Sequence, residues 1–122
     1  MGTFQVPVTI AHPVTALSTT LDALVDTGST LTLLPPSVAR QLGLEEEDQA
    51  SAELADGNVQ NLPLGTARLT VQGRTRVTPV LFAASDNGSP LLGAVTLEAM
   101  GWAVDPIRRR LVPQRLLLMH VG

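Results

Sequence analysis

Residues 24–29 read Leu-Val-Asp-Thr-Gly-Ser, in which two apolar residues lead directly into Asp26, a small hydroxyl residue and a glycine. The stretch over residues 19–25 predicts a strand that carries Asp26 at its end. A carboxylate at the end of a buried strand is costly unless another group pairs with it or a reaction uses it. The hexapeptide therefore indicates either a catalytic carboxylate or an ordinary surface turn, since Asp and Gly are common in turns.

A second motif lies further along the chain, where residues 90–93 read Pro-Leu-Leu-Gly and are followed by residues 94–100, Ala to Met. Between the two motifs, residues 31–34 predict a strand and residues 35–42 a short helix. Proline suits the first turn of that helix, and Gly43 stands where a C-terminal cap is expected. The order of motif, short strand and small helix ties the two motifs to one fold.

Together the two motifs resemble those of the aspartic proteases. One Asp-Thr-Gly in a short chain resembles the single-domain, retropepsin-like branch of bacterial type, and the resemblance extends over residues 4–113. It implies an all-β fold, the acid-protease (retropepsin-like) closed β-barrel with one or two short helices, working as a two-fold dimer. In that fold the Leu-Leu-Gly strand passes through a loop near the catalytic turn and places apolar side chains behind the aspartate.

The resemblance also implies the roles of the motif residues. Asp26 would supply half of a carboxylate dyad shared by two chains, in which two like charges in close contact share one proton. One carboxylate would act as general base to a water and the other as general acid to the substrate carbonyl. Thr27 would donate across the two-fold axis, and Gly28 would let the two loops approach and adopt dihedrals closed to other residues. Ser29 can hydrogen-bond Asp26 and favour its ionised form.

A peptide substrate would bind in extended form between this catalytic floor and a flap. Residues 51–55 and 59–62 predict a hairpin with residues 56–58 at its turn, at the place in the chain where the family carries its flap. Gly57 would permit motion at the tip, and an ordinary surface hairpin is the alternative interpretation. The residues expected to contact substrate are Ser29, Thr30, Leu31, Asp56, Gly57, Asn58, Ser89 and Leu91.

One feature differs from the retroviral pattern. There, the glycine of the second motif is followed by an arginine, which pairs with an acidic residue just after the catalytic loop and helps to hold the dimer. Here Gly93 is followed by Ala94, and the matching position near the loop is Thr30. Because both halves of the ion pair are absent together, no buried charge is left unpaired. We therefore expect other contacts to hold the homodimer, including an apolar strand over residues 115–121.

The remaining residues also favour strands. Residues 4–10 alternate apolar and polar side chains, as in a half-buried strand, and Pro7 confines that strand to an edge or an unpaired side. The acidic residues 45–48 predict a solvated loop, and Trp102 is expected in the core. Further predicted elements are a hairpin of residues 66–72 with 75–83 around Gly73 and Arg74, and a pairing of residues 102–105 with 110–112.

Composition limits the classes of function. The chain has 122 residues, which suits one domain over residues 1–122, and no cysteine, which excludes disulfides and thiol catalysis. Its net charge of −3 argues against a nucleic-acid partner. No stretch reaches the length of a membrane span and the N-terminus lacks a signal peptide, so we expect a cytoplasmic protein without a membrane partner. His12 and His120 lack metal-ligand spacing, and no metal or organic cofactor is implied.

These observations favour one function over two others. The first is an aspartic endopeptidase that hydrolyses peptide bonds with a water activated by an Asp26 dyad shared between two subunits. The second is a catalytically weak dimerisation or peptide-binding module that keeps the acid-protease fold, which the polar flap and the absent ion pair favour. The third, an unrelated small β-barrel binding domain, leaves the Leu-Leu-Gly motif unexplained.

Overall fold

The computed structural model of the protein describes residues 3–115, so most of the strand expected over residues 115–121 lies outside the described residues. Nine strands and two short helices follow one another within that range. In chain order they are β1 (Gln5–Ala11), β2 (Ser18–Val25), β3 (Thr32–Leu34), α1 (Pro36–Leu42), β4 (Asp48–Glu53), β5 (Val59–Val71), β6 (Arg74–Phe82), β7 (Leu91–Leu92), α2 (Ala94–Met100), β8 (Trp102–Asp105) and β9 (Arg110–Pro113).

Most of the strands form a barrel that closes on itself. The main sheet has the order β1-β2-β7-β3-β6-β5-β4, and β1 also pairs with β5. The six strands β1, β2, β7, β3, β6 and β5 therefore form a closed ring, and β4 lies outside it. Alternation explains how β1 fits this barrel, because Val6, Val8 and Ile10 are buried while Gln5 and Pro7 face solvent. The side of Pro7 away from β2 carries no ladder, since β5 pairs with β1 only from Thr9 onward. The predicted all-β closed barrel is confirmed.

Strand β5 is continuous, whereas the sequence suggested two separate strands on either side of Pro63 and Gly65. Its first half pairs with β4 and its second half with β6, so one long strand serves both a projecting hairpin and the barrel. Gly65 looks like a strand breaker but is required by packing. A Cβ at this position would lie 2.5 Å from the Glu45 carbonyl oxygen and 3.0 Å from the Phe82 ring.

The β5–β6 turn lies one residue earlier than expected. Its two central residues are Gln72 and Gly73, with φ of 49° and 84°, rather than Gly73 and Arg74. Positive φ at both positions is the signature of a type I′ hairpin turn, whose twist suits antiparallel strands. The acidic segment also differs slightly from its prediction. Residues 45–47 form an exposed loop, whereas Asp48 already begins β4.

The two helices form as predicted and contribute apolar residues to the core. Helix α1 has Pro36 in its first turn, and Gly43 ends it with a φ of 67°. Helix α2 buries Leu97 and Met100 against the barrel. Neither helix, nor any other among the described residues, is long and apolar enough to cross a membrane. The largest fully buried apolar side chains of the core are Ile10, Leu34, Leu42, Leu69, Leu92, Met100, Val8, Val71 and Val80.

Strands β8 and β9 form a separate two-stranded sheet after α2, in the pairing that the sequence predicts. Trp102 begins β8 and is buried, and its Nε1 donates to the Val71 carbonyl at 3.2 Å. The Arg74 guanidinium lies 4.0 Å from the centre of the indole ring. The predicted core position of Trp102 is therefore confirmed, and it anchors the small sheet to the barrel.

Candidate active site

Backbone hydrogen bonds to two neighbouring segments hold Asp26 at the end of β2. The Asp26 N–H donates to the Leu92 carbonyl at 3.0 Å, and the Leu24 N–H donates to the Pro90 carbonyl at 2.9 Å. On the other side, the Val25 N–H donates to the Phe4 carbonyl at 2.9 Å. The strand that carries the carboxylate is thus fixed on both edges, and Asp26 itself is only half-buried.

The loop that follows Asp26 orients its carboxylate. Oδ1 accepts from the Gly28 N–H at 2.9 Å, and Oδ2 accepts from the Ser29 hydroxyl at 3.2 Å. The Ser29 N–H also donates to the Asp26 carbonyl at 3.1 Å, which closes a tight turn. Each carboxylate oxygen therefore has one donor from its own loop. Because a carboxylate oxygen has two lone pairs, capacity remains for a second partner such as a water.

One of the two reasons expected for Gly28, its dihedrals, is wrong, and the structure gives another. Among the described residues, the glycines with positive φ are Gly43, Gly57, Gly73 and Gly101, so the expected dihedrals closed to other residues are wrong for Gly28. A Cβ at position 28 would instead lie 3.2 Å from Asp26 Oδ1, which is tighter than an ordinary contact. Glycine thus leaves room for the carboxylate to reach the backbone N–H.

The second motif passes directly behind the catalytic loop, which we define as residues 26–31. β7 lies between β2, to which it is parallel, and β3, to which it is antiparallel. A Cβ on Gly93 would lie 2.4 Å from the Leu31 carbonyl carbon and 2.8 Å from the Thr32 nitrogen. Only glycine can therefore let the two backbones cross at this distance. Leu92 is fully buried behind Asp26, as the threaded Leu-Leu-Gly strand predicts.

Backbone bonds join the two segments that an ion pair joins in the retroviral pattern. The Ala94 N–H donates to the Ser29 carbonyl at 2.8 Å, and the Val95 N–H donates to the Thr30 carbonyl at 3.0 Å. Both bonds come from the first turn of α2, whose N–H groups have no partner within the helix. The catalytic loop therefore supplies acceptors to α2, and α2 holds the loop without any charged side chain.

The predicted pocket residues occupy two neighbouring strand ends. Leu91 is half-buried and pairs with both Leu24 and Leu33, which places it beside the strand that leads to Asp26. Leu31 is half-buried and Thr30 is exposed at the end of the catalytic loop. Ser89 is exposed in the segment that enters β7. Thr30 and Leu31 thus belong to the catalytic loop itself, whereas Ser89 and Leu91 belong to the second motif and the segment that leads into it.

The predicted flap residues lie at the tip of the β4–β5 hairpin. The Asp56 carboxylate accepts from the Asn58 N–H at 2.9 Å and from its side-chain amide at 2.8 Å, and Gly57 has a φ of 87°. β4 pairs with β5 alone, and most of the hairpin is exposed. Within residues 3–115, no hydrogen bond joins this tip to the catalytic loop. Within the described part of one chain, the hairpin tip is therefore not hydrogen-bonded to the loop that carries Asp26.

A cleft of about 430 Å³ adjoins the catalytic loop, and the sequence did not indicate it. Thr27 lines one side, and the lining continues along α2 and β8 to Pro106 and Gln114. The residues that line the rest of the cleft are Ala94, Leu97, Glu98, Trp102, Ala103, Val104, Pro106 and Gln114. Thr27 is far along the chain from the other lining residues, which lie between residues 94 and 114, so a local sequence pattern does not show that they meet.

The described residues offer no cluster for a metal ion. Among residues 3–115, no three His, Asp or Glu side chains are grouped so that they could hold one. His12 has a local role, because its Nδ1 accepts from the backbone N–H groups of Val14 and Thr15 at 3.0 and 3.1 Å. It therefore stabilises the turn between β1 and β2.

Comparison with known proteins identifies the family and agrees with the fold. The chain resembles the solved structure of EIAV protease complexed with the inhibitor HBY-793, with a TM-score of 0.59 and 19% identity over 96% of this chain and 94% of that chain. At this identity the likeness establishes the fold. No curated protein shows significant similarity. The family described as gag-polyprotein putative aspartyl protease matches residues 13–99, which include Asp26 and Gly93. The chain therefore belongs to this family of retropepsin-like aspartyl proteases.

Proposed function

We propose that the protein is an aspartic endopeptidase whose catalytic centre is a pair of Asp26 carboxylates, one from each of two chains. The observation that carries the proposal is the orientation and the partial burial of the Asp26 carboxylate. Its two oxygens are oriented by Gly28 and Ser29, and the side chain is only half-buried. Membership of an aspartyl protease family gives this arrangement its chemical meaning.

In the proposed reaction, the two carboxylates hold one proton and one water between them. The ionised carboxylate takes a proton from the water as it attacks the scissile carbonyl, and the protonated one gives its proton to the carbonyl oxygen. The tetrahedral species then collapses with protonation of the leaving amine, without a covalent enzyme intermediate. Ser29 contributes by keeping Asp26 oriented, because its hydroxyl donates to Oδ2.

A second copy of the chain completes the proposed site. Thr27 is exposed, and it lines the cleft together with Ala103 and Val104, which are half-buried and can supply apolar contact area. Thr30 and Ala94 carry no charge, so the homodimer would depend on such apolar contacts and on the paired loops. A dimer of this kind places the two Asp26 side chains at one two-fold axis.

The proposed substrate is an extended peptide held between the catalytic loops and the β4–β5 hairpins. Gly57 gives the hairpin tip a conformation that favours glycine, and the Asp56–Asn58 turn keeps its shape by internal hydrogen bonds. Closure of this flap would exclude water from the reacting atoms. Side chains of the peptide would contact Thr30, Leu31, Ser89 and Leu91, which favours apolar residues near the cleaved bond.

The second candidate is a peptide-binding or dimerisation module that hydrolyses little. The polar composition of the hairpin tip and the uncharged pair at Thr30 and Ala94 favour it. Both candidates share the barrel and the proposed peptide-binding position between the catalytic loops and the β4–β5 hairpins. They differ in whether Asp26 takes part in peptide hydrolysis. A cytoplasmic location and the bacterial branch of the family stay predictions of the sequence.

Replacement of Asp26 by Asn separates the two candidates. Asn can keep both contacts of the carboxylate, since its carbonyl accepts from the Gly28 N–H and its amide donates to the Ser29 hydroxyl. We expect the fold and the peptide affinity to survive while hydrolysis of a fluorogenic peptide library falls to background. Circular dichroism, sedimentation and peptide binding are measured on both proteins.

The matched control is Asp22→Asn, the same chemical change at an exposed position of β2. We expect this variant to hydrolyse peptides like the wild type. Full hydrolysis by Asp26→Asn would remove the peptidase proposal. A wild type that binds peptides from the library but cleaves none of them would favour the binding module.

A further inference from the structure

Three threonines are the fully buried polar side chains of residues 3–115. Thr32, Thr78 and Thr96 are 2%, 2% and 0% exposed. The hydroxyls of Thr32 and Thr96 lie 2.7 Å apart, and those of Thr96 and Thr78 lie 2.9 Å apart. A backbone group terminates the series at each end, with the Gly93 N–H donating to Thr32 Oγ1 at 3.1 Å and Thr78 Oγ1 donating to the Pro79 carbonyl at 3.0 Å.

The two ends determine the direction of every proton in this threonine chain. A hydroxyl has one proton to donate, and the Pro79 carbonyl can only accept, so the Thr78 proton is committed there. Thr96 must then donate to Thr78, and Thr32 must donate to Thr96. The Gly93 N–H supplies the donor that Thr32 still accepts. Each hydroxyl donates once and accepts once, and removal of one hydroxyl leaves its neighbours unmatched in a dry environment.

The threonine chain joins three elements behind the catalytic loop. Thr32 begins β3 directly after the loop, Thr96 lies in the first turn of α2, and Thr78 lies in β6 on the barrel wall. At the Thr32 end, the threonine hydroxyl accepts from the Gly93 N–H, and the Gly93 backbone lies against Leu31 and Thr32. The chain therefore connects the crossing point of the two motifs to a rigid strand.

The residues on either side of Gly93 are the ones that hold the catalytic loop. Leu92 accepts from the Asp26 N–H, and Ala94 and Val95 donate to the Ser29 and Thr30 carbonyls. A shift of Gly93 or of the first turn of α2 would therefore move the Asp26 backbone and the turn that orients its carboxylate together.

We propose that Thr96, bonded to Thr32 and Thr78, is a positioning residue that sets the place of Asp26 by holding Gly93 and the first turn of α2 against the catalytic loop. The proposal rests on the proposed peptidase function. It follows that removal of the Thr96 hydroxyl slows the chemical step more than it weakens peptide binding, since the residues proposed to contact the peptide lie outside the threonine chain. Displacements well below the size of an atom are enough to slow an oriented reaction strongly.

The test compares Thr96→Val, which keeps the side-chain shape and removes the hydroxyl, with Thr96→Ser, which keeps the hydroxyl. Kinetics are measured at a protein concentration high enough for every folded chain to be in a dimer. We expect Thr96→Val to lower kcat by roughly tenfold or more with KM changed by less than about twofold, and Thr96→Ser to restore most of kcat. Thr70→Val is the control, because it removes one hydroxyl of an exposed pair with Thr75 at 2.7 Å.

Amide hydrogen exchange supplies a readout that does not depend on activity. We expect Thr96→Val to speed exchange at the Asp26, Ala94 and Val95 amides by about tenfold relative to the β5–β6 hairpin, and Thr70→Val to leave them unchanged. If Thr96→Val fails to fold, Thr78→Val interrupts the chain at its far end and is measured in the same way. Unchanged kcat and unchanged exchange at those amides would overturn the proposal. A wild type that hydrolyses no peptide overturns the peptidase function instead, and the exchange rates still decide whether the threonines hold the loop.

Discussion

At Gly93, two stretches of backbone lie closer than any side chain would allow. A Cβ would meet the Leu31 carbonyl oxygen at 2.5 Å and the Thr32 nitrogen at 2.8 Å, and both are main-chain atoms that cannot turn aside. The backbone of Gly93 is itself unstrained, with φ of −91° and ψ of 171°. The requirement for glycine is therefore steric, and it concerns the crossing of the two motifs.

Because the requirement for glycine at position 93 is steric, Gly93→Ala is a direct test of the crossing of the two motifs. We expect it to lower the free energy of unfolding by roughly 3 kcal/mol, because the barrel wall or the catalytic loop must move. Gly88→Ala is the control, since nothing lies within 4 Å of a Cβ there, and we expect it to change stability by less than about 0.5 kcal/mol. Denaturant unfolding of the two variants measures both values. Equal stabilities would contradict the crossing.

Single residues were predictable from the sequence when their partners lie nearby in the chain. Ser29 follows Asp26 by three positions in a tight turn, so its contact with the carboxylate could be expected. The threonine chain could not, because Thr32 and Thr96 are 64 positions apart and look like ordinary strand and helix residues. The expected dihedrals of Gly28 were wrong for a different reason, since the φ of a turn glycine depends on the turn type and not on the residue.

Among the elements, the two hairpins at either end of β5 make a matched pair. Both turn on a glycine with positive φ, 87° at Gly57 and 84° at Gly73, and a Cβ at either position would meet nothing within 4 Å. The conformational cost of a side chain should therefore be similar in both hairpins. They differ in place, because only the β4–β5 hairpin projects from the barrel where a flap is expected.

Replacing each glycine by Ala tests the flap. We expect both variants to lose about 1 kcal/mol of stability, since an L-residue is strained at this φ. Only Gly57→Ala should also reduce kcat/KM, by roughly tenfold, because the stiffened tip closes less well over the peptide. Thermal unfolding and peptide hydrolysis are measured on both variants. Equal kcat/KM in the two variants would show that the β4–β5 hairpin is a surface hairpin.

Elements were predictable where side-chain periodicity is regular and were less so where local and long-range effects disagree. The alternation in β1 and the proline and glycine that bound α1 gave the right elements. Pro63 and Gly65 suggested a break in β5 because both residues weaken isolated strands. The strand continues because β4 and β6 pair with it on both sides of that point, and because Glu45 and Phe82 leave no space for a side chain at position 65.

The whole molecule is a closed barrel that carries one Asp-Thr-Gly motif. Asp26 sits half-buried at its surface, and Thr27 borders an adjoining cleft that is lined mostly by apolar residues. The closed all-β barrel could be anticipated from the family resemblance, whereas the cleft depends on where α2 and β8 lie relative to Thr27. The shared site remains the central proposal, and it makes a quantitative statement about mixtures of chains.

Mixing wild type with Asp26→Asn tests that statement most directly. The two proteins are combined in equal amounts, dissociated and allowed to reassociate, and hydrolysis is compared with an equal total concentration of wild type. If both carboxylates are needed, only dimers of two wild-type chains are active, and random pairing predicts about one quarter of the wild-type rate. If each chain carries a complete site, the mixture should retain about one half, and that result would contradict the shared dyad.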